Sequence, residues 1–265
     1  MNDELVPGTA LITGAGSGIG RAIALELSER GAPIAALDFH RAAAEETARL
    51  IMDKGGSALA INADVSDEES VIRGVQDALS MNGSLGILVN AAGILDGYRT
   101  VDEVDLALWN RVLSIHLTGT YLCSRFALDA LMQQPASRII NISSVAGLVG
   151  AGGGAAYVTA KHGLMGLTRQ MAMTYADRGV TVNAICPGPI ETNLRANSMD
   201  ILGPGSPDMM NAGVGADPGA WKTMIPVGRR GTVQEVAAVA GFLASQSAAY
   251  ITGQPFVIDG GWTAR

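Results

Sequence analysis

Cysteine is nearly absent: Cys123 and Cys186 are the only two in 265 residues. Two thiols cannot staple a chain of this length, so a disulfide framework is excluded and a reducing, cytoplasmic setting is expected. Charge is sparse as well. Charged residues make up 16% of the chain and hydrophobic ones 48%, which argues against disorder and leaves ample material for a core. Basic residues are the minority sign, 18 Lys and Arg against 25 Asp and Glu, for a net charge of −7. Nucleic acid is therefore not an expected partner, since affinity for it rests on neutralising phosphates. No run of 18 apolar residues occurs, so no membrane-spanning helix is expected. The opening Met1–Pro7 is acidic and lacks the apolar stretch of a signal peptide. Linkers, repeats and low-complexity tracts are missing too, which leaves one domain over 1–265.

What is present is glycine: 34 residues, clustered at 14–20, 150–154, 203–219 and 260–261 with no fixed period, the mark of special loops. The first cluster has a telling context. Thr9–Thr13 reads as a buried strand, Gly14-Ala-Gly-Ser-Gly-Ile-Gly20 follows at once, and a helix begins with Ile19, Ile23 and Leu27 on one stripe. Strand, glycine turn and helix make a dinucleotide site, because the backbone can approach a pyrophosphate at the helix N-terminus. A second strand, Pro33–Asp38, ends in a carboxylate 24 residues after Gly14. That is near the offset at which an acid holds the adenosine ribose and repels a 2′-phosphate, so NAD is expected rather than NADP. Arg41 is the one nearby cation that could meet a phosphate.

Further strands are expected at 58–63, 86–89, 138–142, 180–185 and 255–258. Helices are expected at 67–81 with Ser66 as cap, at 102–131 as one long helix, at 155–178 and at 232–244. Residues 193–225, with Met199, Met209, Met210, Trp221 and Met224, carry no clear period and read as a mobile, apolar substrate loop. Alternation of strand and helix predicts a seven-stranded parallel sheet with helices on both faces, a doubly wound Rossmann-like α/β domain.

The strand at 138–142 delivers Ser143 and Ser144 to a glycine-rich turn, after which Tyr157 and Lys161 stand four residues apart on one helix face. An ammonium one turn away is expected to lower the phenol pKa. Ser144 can hydrogen-bond a substrate oxygen beside that phenol. The set suits acid/base work on an alcohol/carbonyl pair, with the hydride coming from a redox cofactor.

These stretches, together with Asp64-Val65, Asn90-Ala-Ala-Gly93 and Asn183–Thr192, resemble the short-chain dehydrogenases/reductases over essentially the whole length. The resemblance implies a homotetramer that moves hydride between a nicotinamide and a small alcohol or ketone. It implies Tyr157 as acid/base, with Lys161 as its partner and a ligand of the nicotinamide ribose. Ser144 would orient the substrate and Ser143 would be structural. Gly14, Ser17, Gly18, Ile19 and Gly20 would hold the pyrophosphate, Asp64 and Val65 the adenine. Asn90 and Gly93 would line the cofactor cleft, Pro187 and Gly188 would shape the nicotinamide pocket, and Ile190 and Thr192 would reach the carboxamide. The tail Gly260-Gly261-Trp262 would lie at a subunit contact. One position departs: the family's catalytic Asn, 28 residues before the serine, is His116 here, which either joins the proton relay or fills space. An NAD-dependent secondary-alcohol dehydrogenase is the leading expectation. An NADPH-linked 3-oxoacyl reductase and a non-catalytic NAD sensor are the alternatives.

Overall fold

The computed structural model of the chain describes residues 4–210, 212, 213 and 223–264. Its strands are β1 (Thr9–Thr13), β2 (Ile34–Asp38), β3 (Ala58–Asn62), β4 (Leu85–Asn90), β5 (Ser137–Ile142), β6 (Val180–Pro187) and β7 (Pro255–Ile258). They form a single seven-stranded sheet in the order β3-β2-β1-β4-β5-β6-β7, parallel at every pairing. The connecting helices are α1 (Gly18–Glu29), α2 (Arg41–Met52), α3 (Glu68–Ser80), α4 (Leu106–Leu113), α5 (Gly119–Met132), α6 (Ala155–Tyr175), α7 (Leu194–Leu202) and α8 (Val233–Leu243).

The two faces of the sheet follow from the two-residue period of a strand. Leu11, Leu88, Ile139 and Val182 point to one side, where Val71 and Val75 of α3, Val112 of α4, Leu122 of α5 and Ala160 of α6 cover them. Their neighbours Ile12, Ile87, Ile140 and Ile185 point to the other, against Ile23 and Leu27 of α1 and Val236 and Ala240 of α8. Central strands buried on both faces read as continuous apolar runs, as parallel sheets require. This is a doubly wound, Rossmann-like domain. Strand order reverses between β1 and β4, and such a switch point opens a crevice at the carboxyl ends of the strands. Thr13 fastens its floor: its Oγ1 accepts from Ala91 N at 3.1 Å and Ala92 N at 3.2 Å, joining the end of β1 to the loop after β4.

Several boundaries differ from those the sequence predicts, each for a local reason. The expected helix from Asp102 starts instead at Leu106. The Asp102 carboxylate is occupied by Thr100 Oγ1 at 2.6 Å, and Asp105 supplies the cap by accepting from Leu108 N at 2.8 Å. That helix is also not one α-helix: Ser114–Thr118 form a π-helical turn between α4 and α5. Asp67, not Ser66, caps α3 by accepting from Ser70 N at 2.7 Å, while Ser66 Oγ donates to Asp64 Oδ1 at 2.6 Å. β6 runs on to Pro187, where proline removes the next ladder donor. The segment read as loop opens with helix α7; Trp221 lies outside the described residues.

Candidate active site

The crevice at the switch point is a cleft of about 510 Å³. At one end stands the glycine loop. Gly14 sits at φ 65°, and a Cβ there would come 2.8 Å from Ala92 Cα; at Gly20 it would come 2.2 Å from Gly14 O. No side chain fits between loop and helix, so the backbone N–H groups at the start of α1 face the cleft directly. No acidic residue stands in the first turn of α1, which suits an anion held there. Ser17, Gly18, Ile19 and Gly20 all line the cleft. Ser17 Oγ accepts from Asn197 Nδ2 of α7 at 2.9 Å, tying the loop to the opposite wall.

Asp38 closes this end. Its Oδ2 accepts from Gly16 N at 2.8 Å and its Oδ1 from His40 N at 2.9 Å. One lone pair of each oxygen remains for a sugar hydroxyl. Arg41 points outward and is paired with Glu45 at 2.8 Å, its side chain 78% exposed. Asp64 and Val65 line the next stretch. The Asp64 carboxyl, although burial works against it, is held below its usual pKa by hydrogen bonds from Ser66 and by Arg111. Gly93 lines the cleft, but Asn90 does not. Asn90 is buried behind the wall, where its Nδ2 donates to Asn141 Oδ1 at 2.9 Å and contacts Ser124 Oγ at 3.3 Å. β4 turns its side chain toward Asn141 and Ser124, while the adjoining Ala91 and Ala92 line the cleft. These residues fit a dinucleotide: an N–H-lined anion site, a ribose-facing acid, and a path between them.

Ser144, Tyr157, Lys161, Pro187, Gly188 and Ile190 also line the cleft, as does Thr192, which lies against Gly18 of the glycine loop, where a Cβ would come 3.5 Å from its Cγ2. Lys161 is buried and its Nζ donates to Ile142 O at 2.7 Å, 5.5 Å from the centre of the Tyr157 ring. His116 meets that ring edge-on, 5.1 Å between centres. Its Nε2 lies 2.6 Å from Ile94 O and 3.0 Å from Ile94 N, donating to the first or accepting from the second according to tautomer. The buried Nδ1 has no partner among the described atoms. Ser143 Oγ turns to the Lys161 carbonyl at 3.4 Å, a structural contact.

The electrostatics reverse one expectation. Burial pushes the Tyr157 phenol above its ordinary pKa of 10.0, a hydrogen bond from Ser144 pulls it down, and the nearby Tyr98 and Asp96 add to the rise. Burial likewise lowers Lys161 from 10.5 to about 7. A lysine partly neutral near pH 7 is a weak source of the phenol-lowering field that the four-residue spacing suggests. Desolvation is the largest influence on both groups because both are buried in the same pocket, and Lys161 is not among the groups that act on the phenol. His116 is held well below 6.5 by burial and by Lys161, against a raising contact to Ile94.

Sequence reading missed four groups on this wall: Tyr98, Arg195, Arg230 and Trp262 all line the cleft. The resemblance implies a subunit contact for Trp262. Within the single chain it folds back over its own site, and a Cβ on Gly152 would lie 3.3 Å from its ring. Nothing local marks these residues; each arrives through long-range folding.

A family model described as enoyl-(acyl carrier protein) reductase matches residues 14–263. The 2-(S)-hydroxypropyl-CoM dehydrogenase 3 of Xanthobacter autotrophicus is 38% identical over 265 residues, 100% of both chains. The cis-4-hydroxycyclohexanecarboxylate dehydrogenase of Sinomonas cyclohexanicum is 38% identical over 264 residues, again 100% of both. A solved structure from Beutenbergia cavernae, described as a putative NAD(P) dependent gluconate 5-dehydrogenase with bound NADP, has a TM-score of 0.87 at 35% identity and covers 100% of both chains. The chain belongs to the short-chain dehydrogenases/reductases. Its general activity is that of an NAD(P)-dependent oxidoreductase.

Proposed function

We propose that the chain is an NAD-dependent dehydrogenase of small secondary alcohols, or the reductase of the matching ketones, with Tyr157 as acid/base. The observation that carries this is the continuity of one cleft from the Asp38 carboxylate to the Tyr157 phenol. A nicotinamide dinucleotide lying along it would supply or accept the hydride, which no side chain can do. The protein's own part is the proton. Tyr157 takes it from the alcohol oxygen or gives it to the carbonyl oxygen, and Ser144 hydrogen-bonds that oxygen from beside the phenol. Lys161, anchored on the Ile142 carbonyl, stands behind the ring where a ribose hydroxyl would meet it. His116, also at the ring, supplies a neutral acceptor nitrogen.

Asp38 favours NAD, since a 2′-phosphate would meet a carboxylate whose neighbouring cation, Arg41, is already paired with Glu45. The same point weighs against an NADPH-linked 3-oxoacyl reductase, although the Beutenbergia structure holds NADP. The assembled Ser144, Tyr157 and Lys161 weigh against a mere sensor. Arg195 and Arg230 also line the cleft. Arg195 is engaged by the Met209 and Ala212 carbonyls and the Tyr98 hydroxyl, and Arg230 feels Glu191 as well as Arg195, so neither by itself selects a charged substrate.

The test is oxidation of cyclohexanol and of 4-hydroxycyclohexanecarboxylate within a panel of secondary alcohols, with NAD and with NADP. NAD is expected to lead by at least ~10-fold in kcat/KM, equivalent to ~1.4 kcal/mol. Tyr157→Phe is expected to lose ~10²–10⁴-fold in kcat with dinucleotide binding intact. Equal use of both cofactors would reject the role given to Asp38, and an active Tyr157→Phe the role given to the phenol.

A further inference from the structure

Asp96 is a fully buried carboxylate in the loop between β4 and α4. Its two oxygens collect three backbone N–H groups. Oδ1 accepts from Tyr98 N at 3.0 Å and Gly154 N at 3.0 Å, and Oδ2 accepts from Tyr157 N at 2.9 Å. Beside it the Arg99 carbonyl accepts from Ala155 N at 2.9 Å. The first N–H groups of a helix need partners from outside it, and α6 begins at Ala155 with Gly154 as an N-cap that has no side chain to offer. A segment 58–61 residues upstream therefore caps the helix that bears Tyr157, and one of the bonds falls on Tyr157 itself.

The same carboxylate holds a strained turn. Tyr98 has φ 58°, the sole non-glycine residue with positive φ among the described residues, and an aromatic side chain there is costly. Its ring lies 5.4 Å under the Arg195 guanidinium of α7, and its hydroxyl accepts from Arg195 Nη2 at 3.3 Å. The fit leaves no slack: a Cβ on Gly154 would come 2.6 Å from Asp96 Oδ2 and 2.5 Å from Arg99 N.

We propose that Asp96 is a positioning residue for the reaction, one buried carboxylate that fixes the acid/base tyrosine and the Tyr98–Arg195 wall of the cleft relative to each other. The assignment rests on the reading of Tyr157 as acid/base. It adds that the wall and the proton donor move as a unit, so that damage at Asp96 reaches the chemistry without touching the dinucleotide. The groups facing the phenol are Ser144, Lys161, His116 and Tyr98, with Asp96 behind the backbone. Burial is the main force holding the phenol protonated, and the Asp96 charge acts in the same direction. Removing that charge eases ionisation. Alcohol oxidation needs the ionised form, so its acid limb moves to lower pH.

The experiment compares wild type with Asp96→Asn, using cyclohexanol and NAD across pH, together with dinucleotide affinity by fluorescence and amide exchange by mass spectrometry. The expected result is a kcat reduced roughly 10- to 100-fold, as misplacement of a reacting group produces, with unchanged dinucleotide affinity. The acid limb is displaced downward, and exchange quickens at 96–99 and 154–158. An unmoved limb with kcat falling only in step with melting temperature would overturn the proposal. Should Asp96→Asn fail to fold, Gly154→Ala keeps the carboxylate and presses on it. Loss of kcat with intact dinucleotide binding is then expected, and an unchanged kcat overturns the proposal. Tyr157→Phe separates the two ideas. If it stays active, the acid/base reading fails; if it is dead while Asp96→Asn keeps the wild-type profile, the positioning role alone fails.

Discussion

Lys161 shows what single residues contribute here, and at what pH. Burial lowers its folded-state pKa to about 7 from 10.5. Below pH 7 the ammonium is present in folded and unfolded chains alike, and the folded state bears the whole desolvation penalty. Between 7 and 10.5 the unfolded chain binds more protons than the folded one, so stability rises with pH until the penalty is gone. Lys161→Met should therefore raise the melting temperature most below pH 7, with the gain fading towards pH 10.5, while activity is lost. Thermal unfolding of both proteins over that range is the measurement, and a gain independent of pH would contradict it. The four-residue spacing of Tyr157 and Lys161 was legible in the sequence. The sign of their pKa shifts was not, because spacing says nothing about how dry the pocket is.

At the scale of elements, the π-helical turn Ser114–Thr118 is the instructive one. Apolar positions at Trp109, Val112, Leu113 and Leu117 carry the helical pattern straight through it, so sequence reading predicts an unbroken helix. The extra residue of a π-turn rotates the helix beyond it relative to the helix before. It leaves the buried His116 ring against Ile94 and Tyr157. With its pKa held well below 6.5 by burial and by Lys161, this ring stays neutral through the ordinary working range. The kcat–pH profiles of wild type and His116→Asn should then superimpose. An acid limb near ~6.5, present in wild type and absent from the Asn variant, would refute a neutral ring. His116→Leu removes the ring nitrogen from Ile94 and should cost about 1–3 kcal/mol in urea unfolding. Elsewhere the elements were well marked. β1, the glycine turn and α1 announce themselves by composition, and the Thr232–Glu235 capping box fixes the start of α8. The roles of Asp96, Tyr98 and Trp262 at the cleft were invisible because the contacts that bring them there, to Gly154 and Tyr157, to Arg195 and to Gly152, span tens of residues and no local period connects them.

For the whole molecule, alternation of strand and helix predicted the seven-stranded parallel sheet and the glycine loop a dinucleotide site, whereas the strand order and the cleft at its reversal emerge only in the fold. Assembly is a further expectation. Large apolar side chains stand exposed on the single chain, Met173 of α6 at 86% and Tyr250 between α8 and β7 at 104%, and the family resemblance implies an assembly. A homotetramer is expected by light scattering at micromolar concentration, and a monomeric mass would refute it.

Both cysteines lie sealed in the interior, Cys123 on α5 at 1% exposure and Cys186 on β6 at 0%. Burial raises their pKa values to about 12 and about 11. Only the thiolate attacks an alkylating reagent, so neither sulfur reacts until the structure around it opens. One sits between α5 and the sheet, the other beside Met165 of α6, 3.8 Å from its sulfur. Their separate labelling rates in native buffer thus act as two internal clocks, one timing the release of α5 and the other the parting of α6 from β6 beneath Lys161. If the clocks keep the same time, the domain opens as one body; if the second runs faster, the catalytic helix breathes on its own.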